Sequence, residues 1–379
     1  MDLLKSSLVA LDSSHWADLI KAATSPSSAM RAKARAFPAQ LLAQGCVPLL
    51  CWHHFEELLA IEDDAIVDAR LAFIESLPFI AWIQSLDEPH GFGAITDVVA
   101  AEAMAICDGA DTPLAVRDQA RARLVRFGSG LDAIGPDRWV WHLLRPDILE
   151  RNICSRTITA IAPVKFMDGS TPVRALMAQS LRSADEVKVQ FAAMTRMLTG
   201  EIARHGDRRI ENPQDLAATF CADTAQLAPW SSASVGEFVI GVAEAQGVRA
   251  EEITPEMTVD QLGELGVFRS KLRIIAEKTG HTVDELWQRV RMDQCPHWII
   301  EDGLGRYRPA LAERRGSDLN DGYLAVLAAY ADHLYVDKRK AENFRQASGK
   351  APALNALIGR IWKAAHYADI PQQLAEVAA

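Results

Sequence analysis

The stretch SDLNDGYLAVLAAYADHLYVDKR, Ser317 to Arg339, puts Asp318 and Asp321 at the start of an apolar helical pattern and Asp337 just past a short apolar strand pattern. One aspartate at a helix start is a cap. Three acids, placed so that a helix start and a strand end converge, suggest a carboxylate cluster. A further acid, Asp12, follows the apolar run Ser7 to Leu11, and Glu56 and Glu57 lie in the first turns of the pattern WHHFEELL. Carboxylate oxygens are the preferred protein ligands of hard divalent cations such as Mg²⁺. Two such ions about 3.5 to 4 Å apart activate water and relieve charge when a phosphodiester is hydrolysed. Without a cation, packed acids repel one another and some take up protons.

The elements that must position these acids follow from pattern. SLVAL and CVPLLC are short apolar runs of the kind that form parallel strands covered on both faces. PFIAWI is a third such run, and helical patterns separate them. Residues just past the carboxyl ends of such strands are where open α/β sheets keep their chemistry. Asp12 is placed there. From residue 87 to 298 long helical patterns predominate, and the expected organisation is therefore an α/β part at 1–86, a helical insertion at 87–298 and a returning α/β part at 299–379. The return brings the strand HLYVD, and a parallel sheet begun at the amino terminus and completed here sets Asp12 close to Asp321 and Asp337. The tail from Asn355 is expected to form one closing helix.

Composition narrows the classes. With 49% hydrophobic and 24% charged residues the chain of 379 residues has the makeup of a folded protein. No apolar run reaches the roughly 20 residues of a membrane helix, and the amino-terminal segment lacks a signal-type pattern, so no membrane partner and a cytoplasmic location are expected. The six cysteines are scattered, as in reduced thiols. Cys46, Cys51, His53 and His54 have no matching second pair, so zinc is not expected. The net charge of −10 argues against a coat of phosphate-binding residues. Basic groups remain at Arg31, Lys33 and Arg35, at Arg117, Arg121, Arg123 and Arg126, and at Arg306, Arg308, Arg314 and Arg315. Each reads first as a solvated face. Trp139, Trp141, Trp230, Trp287 and Trp298 read as packing residues before base-stacking ones.

The order of acids resembles that of the PIN-like nucleases. In that family an aspartate follows the first strand, a glutamate lies in an early helix, an aspartate opens a late helix and a further acid follows the next strand. LVALDSS, FEELL, SDLNDGYLAVLAAYAD and LYVDKR stand here in that order, over roughly residues 5 to 85 and 305 to 348. The resemblance matches Asp12, Glu57 with Glu56 as alternative, Asp321 with Asp318 as competitor or assistant, and Asp337. It implies a PIN-like parallel sheet flanked by helices, with a mainly helical inserted subdomain. It implies a Mg²⁺ or Mn²⁺ dependent endoribonuclease, with RNA preferred over DNA, in a toxin-like, phage-defence or RNA-processing role. On that basis Asp12 and Asp337 bind metal directly, Glu57 and Asp321 directly or through water, and Lys338 or Arg339 meets phosphate. Pairing into a homodimer and a regulatory protein partner are compatible with it. Against it stand plain structural readings: Asp12, Asp318 and Asp321 as helix caps, Asp337 as a turn residue and Glu57 as a solvent-facing acid. The other functions open are a catalytically inactive PIN-like interaction scaffold and a DNA-directed nuclease or phosphatase.

Overall fold

A computed structural model describes residues 6–88, 91–180, 184–227, 234–307 and 313–378; Trp230 and Arg308 lie outside these. The chain divides into two compact units. One comprises Met1–Asn152, Ile275–Pro309 and Asn320–Ala379, and the other Ile153–Ile274 and Ala310–Leu319.

The first unit is an α/β structure built on a six-stranded sheet: β1 (Ser7–Leu11), β2 (Cys46–Leu50), β3 (Ile80–Ile83), β4 (Val125–Gly128), β5 (His333–Val336) and β6 (Arg360–Lys363), in the order β4-β3-β2-β1-β5-β6. All neighbours are parallel except β3 and β4. Parallel strands need crossovers, and helices supply them. α1 (Ser13–Ala23) and α2 (Ser28–Ala43) connect β1 to β2, and α3 (Trp52–Leu59) and α4 (Asp64–Glu75) connect β2 to β3. α5 (Ile95–Cys107) and α6 (Pro113–Leu124) precede β4.

Strand periodicity feeds two cores. Val9, Leu11, Leu50 and Tyr335 pack with Trp16, Phe37 and Phe55 on one face, while Leu8, Ala10, Leu49 and Val336 pack with Val98, Ile300 and Phe344 on the other. Burial on both faces explains why β1, β2, β3 and β5 read as unbroken apolar runs. The tail from Asn355 is not one helix. It finishes the helix Pro352–Leu357, forms the edge strand β6 and ends in the helix Ile370–Ala378. Gly359 makes this docking sterically possible, since a Cβ there would lie 2.3 Å from the carbonyl oxygen of Ala331. The expected helical run through Val125 to Gly128 is likewise corrected, for it forms β4.

The second unit is helical. Ala160, Leu198, Ile202, Ala217 and Cys221 form one small core, with Phe166 stacked on Phe220, and Val173, Ala243, Val248 and Leu262 form another.

A buried carboxylate fastens one helical layer of the first unit. Glu102 of α5 is 0% exposed. It accepts hydrogen bonds from the backbone N–H of His297 at 2.9 Å, from His297 Nδ1 at 2.6 Å and from the hydroxyl of Tyr330. It thus caps the helix Pro296–Arg306 from another element, where the unpaired amides and helix dipole favour negative charge. Burial and the charge of Glu102 push the Tyr330 hydroxyl well above its ordinary pKa, so it stays a donor. Replacing Glu102 by Ala strands three buried donor groups, on His297 and Tyr330, and leaves a cavity. The expected loss is about 3–5 kcal/mol of unfolding free energy, measured by urea denaturation, whereas an exposed control such as Glu88→Ala changes it little.

Candidate functional site

The site is assembled at the carboxyl ends of β1 and β5. These strands are neighbours in register Leu11 to Tyr335, and the ladder continues one residue further, with Asp12 N–H donating to the Tyr335 carbonyl at 2.9 Å. On one side of β1 the chain proceeds through β2 and β3, and on the other lie β5 and β6. That reversal is a topological switch point, where a crevice opens outside the strand ends. Asp12 and Asp337 are the residues that leave the two strands at this point.

Both also cap helices. Asp12 Oδ1 accepts from Ser14 N–H at 2.8 Å, and Asp337 Oδ1 accepts from Lys340 N–H at 2.6 Å. The capping reading is therefore correct for Asp12, and Asp337, read from the sequence as a turn residue, is an N-cap as well, yet a cap bond occupies one carboxylate oxygen and leaves capacity on the group. Asp337 is exposed and Asp12 half-buried.

Glu57 joins them because α3 begins one residue after β2 ends, and His54 ties that helix start to β1. His54 Nδ1 accepts from Cys51 N–H at 3.0 Å, and its Nε2–H donates to the Leu11 carbonyl at 2.8 Å. Burial lowers the His54 pKa to about 4, so the ring remains neutral and keeps both bonds. Leu11 directly precedes Asp12, and the bond therefore fixes the helix bearing Glu57 against the strand end bearing Asp12.

The two candidate glutamates are then divided by their surroundings. Burial alone would raise Glu56, but the hydrogen bond from His53 Nδ1 at 2.6 Å, with Trp52 and Arg151, outweighs it and the carboxyl is lowered. His53 is oriented for this, since its Nε2 accepts from Ile95 N–H. Glu57 has no such partner. Burial first, then the charges of Asp321, Asp12 and Glu56, raise its pKa to about 8, with only Ser13 opposing. Glu57 Oε1 and the Ser13 hydroxyl oxygen are both buried without a hydrogen-bond partner of good geometry. Glu57 is thus not a solvent-facing acid.

Asp321 is the third member, held by the helix Ser317–Val326, and its Oδ2 lies 3.5 Å from the Arg339 guanidinium. Arg339 follows Asp337 by two residues, and its ion pair connects the exit of β5 to the acids. Lys338 is exposed. Asp318 belongs to the second unit, where it is buried and its Oδ2 accepts from Arg315 N–H at 3.0 Å, a local capping role. The structure thus brings Asp12, Glu57 and Asp321 into one field of mutual repulsion, with Asp337 at the adjoining strand end. These are hard oxygen donors of the kind that bind divalent cations such as Mg²⁺ or Mn²⁺, with one buried unsatisfied carboxylate oxygen on Glu57, but no three of the four place oxygens within 4.8 Å of one another.

Other clusters behave differently. Arg117, Arg121 and Arg123 are paired with Asp118, Asp332 and Asp108, so three of the four cations of this run are spent on local structure, and Arg126 is exposed. Trp141 is buried against Phe55, whereas Trp139 is exposed. Glu102, Cys295 and His297 place three donor atoms within 4.8 Å of one another, a group that sequence spacing gave no reason to join. Its carboxylate is already filled by His297 and Tyr330, and the Cys295 thiol donates to the Arg291 carbonyl at 3.3 Å. This hydrogen-bonded hub is a poor fit for a metal.

Neither a family model, a curated protein nor a solved structure matches the chain.

The raised Glu57 gives a pH signature. Its folded pKa of about 8 lies above the ordinary carboxylate value, so its contribution to the stability of the metal-free protein is present at low pH and is lost as pH rises from about 4.5 through 8. Glu57→Gln removes that slope. In EDTA, denaturant unfolding at pH 6 and pH 9 is expected to show the variant gaining on the wild type at the higher pH. A constant difference between them would mean that Glu57 is not held protonated by its neighbours.

Proposed function

We propose that this chain is a divalent-cation-dependent nuclease, a PIN-like endoribonuclease that hydrolyses phosphodiester bonds in single-stranded RNA. The observation that carries the reading is Glu57: a half-buried carboxylate with one buried, unpartnered oxygen, whose principal charged neighbours are also acids, placed near the switch point of a parallel sheet. A structural role does not account for it. The protein elsewhere neutralises the acids it buries at strand ends, as with Asp332, which accepts from Leu8 N–H and pairs with Arg121. Retaining repulsion here costs stability, and an ionic partner would offset that cost. The order in which the acids occur supplies the family resemblance, and that resemblance is what favours RNA.

On this reading Asp12 and Asp337 hold Mg²⁺ or Mn²⁺ directly, with Glu57 and Asp321 binding directly or through water. The ion supplies Lewis acidity toward a phosphate oxygen and makes a bound water more acidic. The residues of the chain position it and exclude alternatives. Glu57 releases its proton as the site fills, and His54 keeps its helix against Asp12. Arg339 already reaches the acids, so a phosphodiester brought there meets a guanidinium suited to phosphate oxygens.

A second reading has one observation in its favour. Asp12 and Asp337 each make a helix cap and Asp321 pairs with Arg339, which would leave an inactive scaffold partly compensated without metal. Cleavage separates the two. Labelled single-stranded RNA is incubated with Mn²⁺, Mg²⁺ or EDTA, beside single-stranded DNA and a small phosphomonoester. Cation-dependent RNA cutting is expected, reduced at least about a hundredfold in Asp12→Asn and Glu57→Gln with folding intact. Cutting of DNA or the monoester alone would change the substrate class. No cutting, with no heat of Mn²⁺ binding by calorimetry, would leave the scaffold.

A further inference from the structure

Beside the acids lies an open groove of about 1310 Å³, walled by the helix Lys338–Ser348 and by edge strand β6. We infer that this groove is the track along which a single-stranded polynucleotide, RNA in the first instance, reaches the acid cluster. The inference rests on the nuclease reading and adds where the substrate lies and which residues hold it.

Charge is the first reason. Lys338, Arg339, Arg345, Arg360 and Lys363 line the groove, against two acids, Glu342 and Glu376. This local excess of cations belongs to a protein whose net charge is −10. Arg345 is held by Glu342 with Nε at 2.8 Å, and Lys363 also bears on Glu342, but Lys338, Arg360 and Lys363 are exposed. A concentrated basic surface on an acidic protein selects for a polyanion and steers it.

Continuity is the second reason. Lys338 and Arg339 directly follow Asp337, and Arg339 is also the ion-pair partner of Asp321. One side chain therefore belongs to both the groove wall and the acid site.

Size and lining supply the third. The volume exceeds the roughly 300–1,000 Å³ of a small-molecule pocket. Trp362 also lines the groove, half-buried, with its ring stacked on Tyr335 at a centroid distance of 6.1 Å and its Nε1–H donated to His333 at 3.1 Å. That ring packs on the Tyr335 face of the sheet, opposite the face covered by the helix Lys338–Ser348, so in the groove the cations carry the recognition and the polymer is held by its phosphates. Because β6 is an edge strand, no further strand covers this side of the sheet among the described residues.

The test separates binding from cleavage. Fluorescence anisotropy of a labelled single-stranded RNA is followed in EDTA across a salt series, using wild type, Arg360→Glu with Lys363→Glu, and the neutral pair Arg360→Gln with Lys363→Gln. Both side chains are exposed, so melting curves should coincide with wild type. The charge-reversed pair is expected to bind at least about tenfold more weakly and the neutral pair to fall between. The slope of log affinity against log salt should shrink by about 0.7 for each phosphate that the protein no longer neutralises. Wild-type binding that both pairs leave unchanged overturns the groove, even if cation-dependent cutting persists and the nuclease reading stands. Failure of the wild type to bind any polynucleotide also overturns it. Groove-dependent binding by a protein that cuts nothing supports the track and counts against the nuclease instead.

Discussion

The parallel pairing of β1 with β5 is the constraint on which the rest depends. It joins residues near the amino terminus to residues more than three hundred positions later, with Asp12 N–H bonded to Tyr335 and Asp332 N–H bonded to Leu8. Since parallel neighbours point the same way, the residues that follow them emerge on one edge of the sheet. Asp12 and Asp337 are adjacent for that reason alone. β6 can add only because β5 is already in place, and the basic groove is bounded by β6.

The two ends of this strand pair handle charge in opposite ways. At the amino end of β5, Asp332 is drawn into the structure by Leu8 N–H and by Arg121, and although burial acts the other way its carboxyl is lowered. At the carboxyl end Glu57 is raised by burial and by Asp321 and Asp12. The same kind of group therefore does structural work at one edge and holds an unresolved repulsion at the other. Such a conflict between local chemistry and stability is the observation on which the proposed function rests.

Glu102 shows that burial of an acid is not by itself that mark. It is fully buried, but His297 and Tyr330 direct donors at its oxygens, so the group locks α5 to the helix Pro296–Arg306. What separates Glu102 from Glu57 is that its nearest partners are hydrogen-bond donors and not other acids. A satisfied acid specifies packing, while an acid surrounded by acids keeps its proton to higher pH.

The sequence by itself determined the buried strands β1, β2, β3 and β5, because strands covered on both faces must be apolar throughout and are bounded by helical patterns. It also determined which acids stand at strand ends and helix starts. Edge strands β4 and β6 were not legible: VRFG and RIWK are partly or fully exposed, and their charged residues fit a helix surface equally well. Only the tertiary structure set Glu56 and Glu57 in different surroundings, since His53 must be placed by Ile95 before it can claim the first and leave the second among Asp12 and Asp321. It alone turned Asp318 toward Arg315, drew Arg339 to Asp321 and joined Glu102 to His297. Spacing along a chain fixes which face of a local element a side chain occupies, but the neighbours that set its charge and hydrogen bonding come from distant segments.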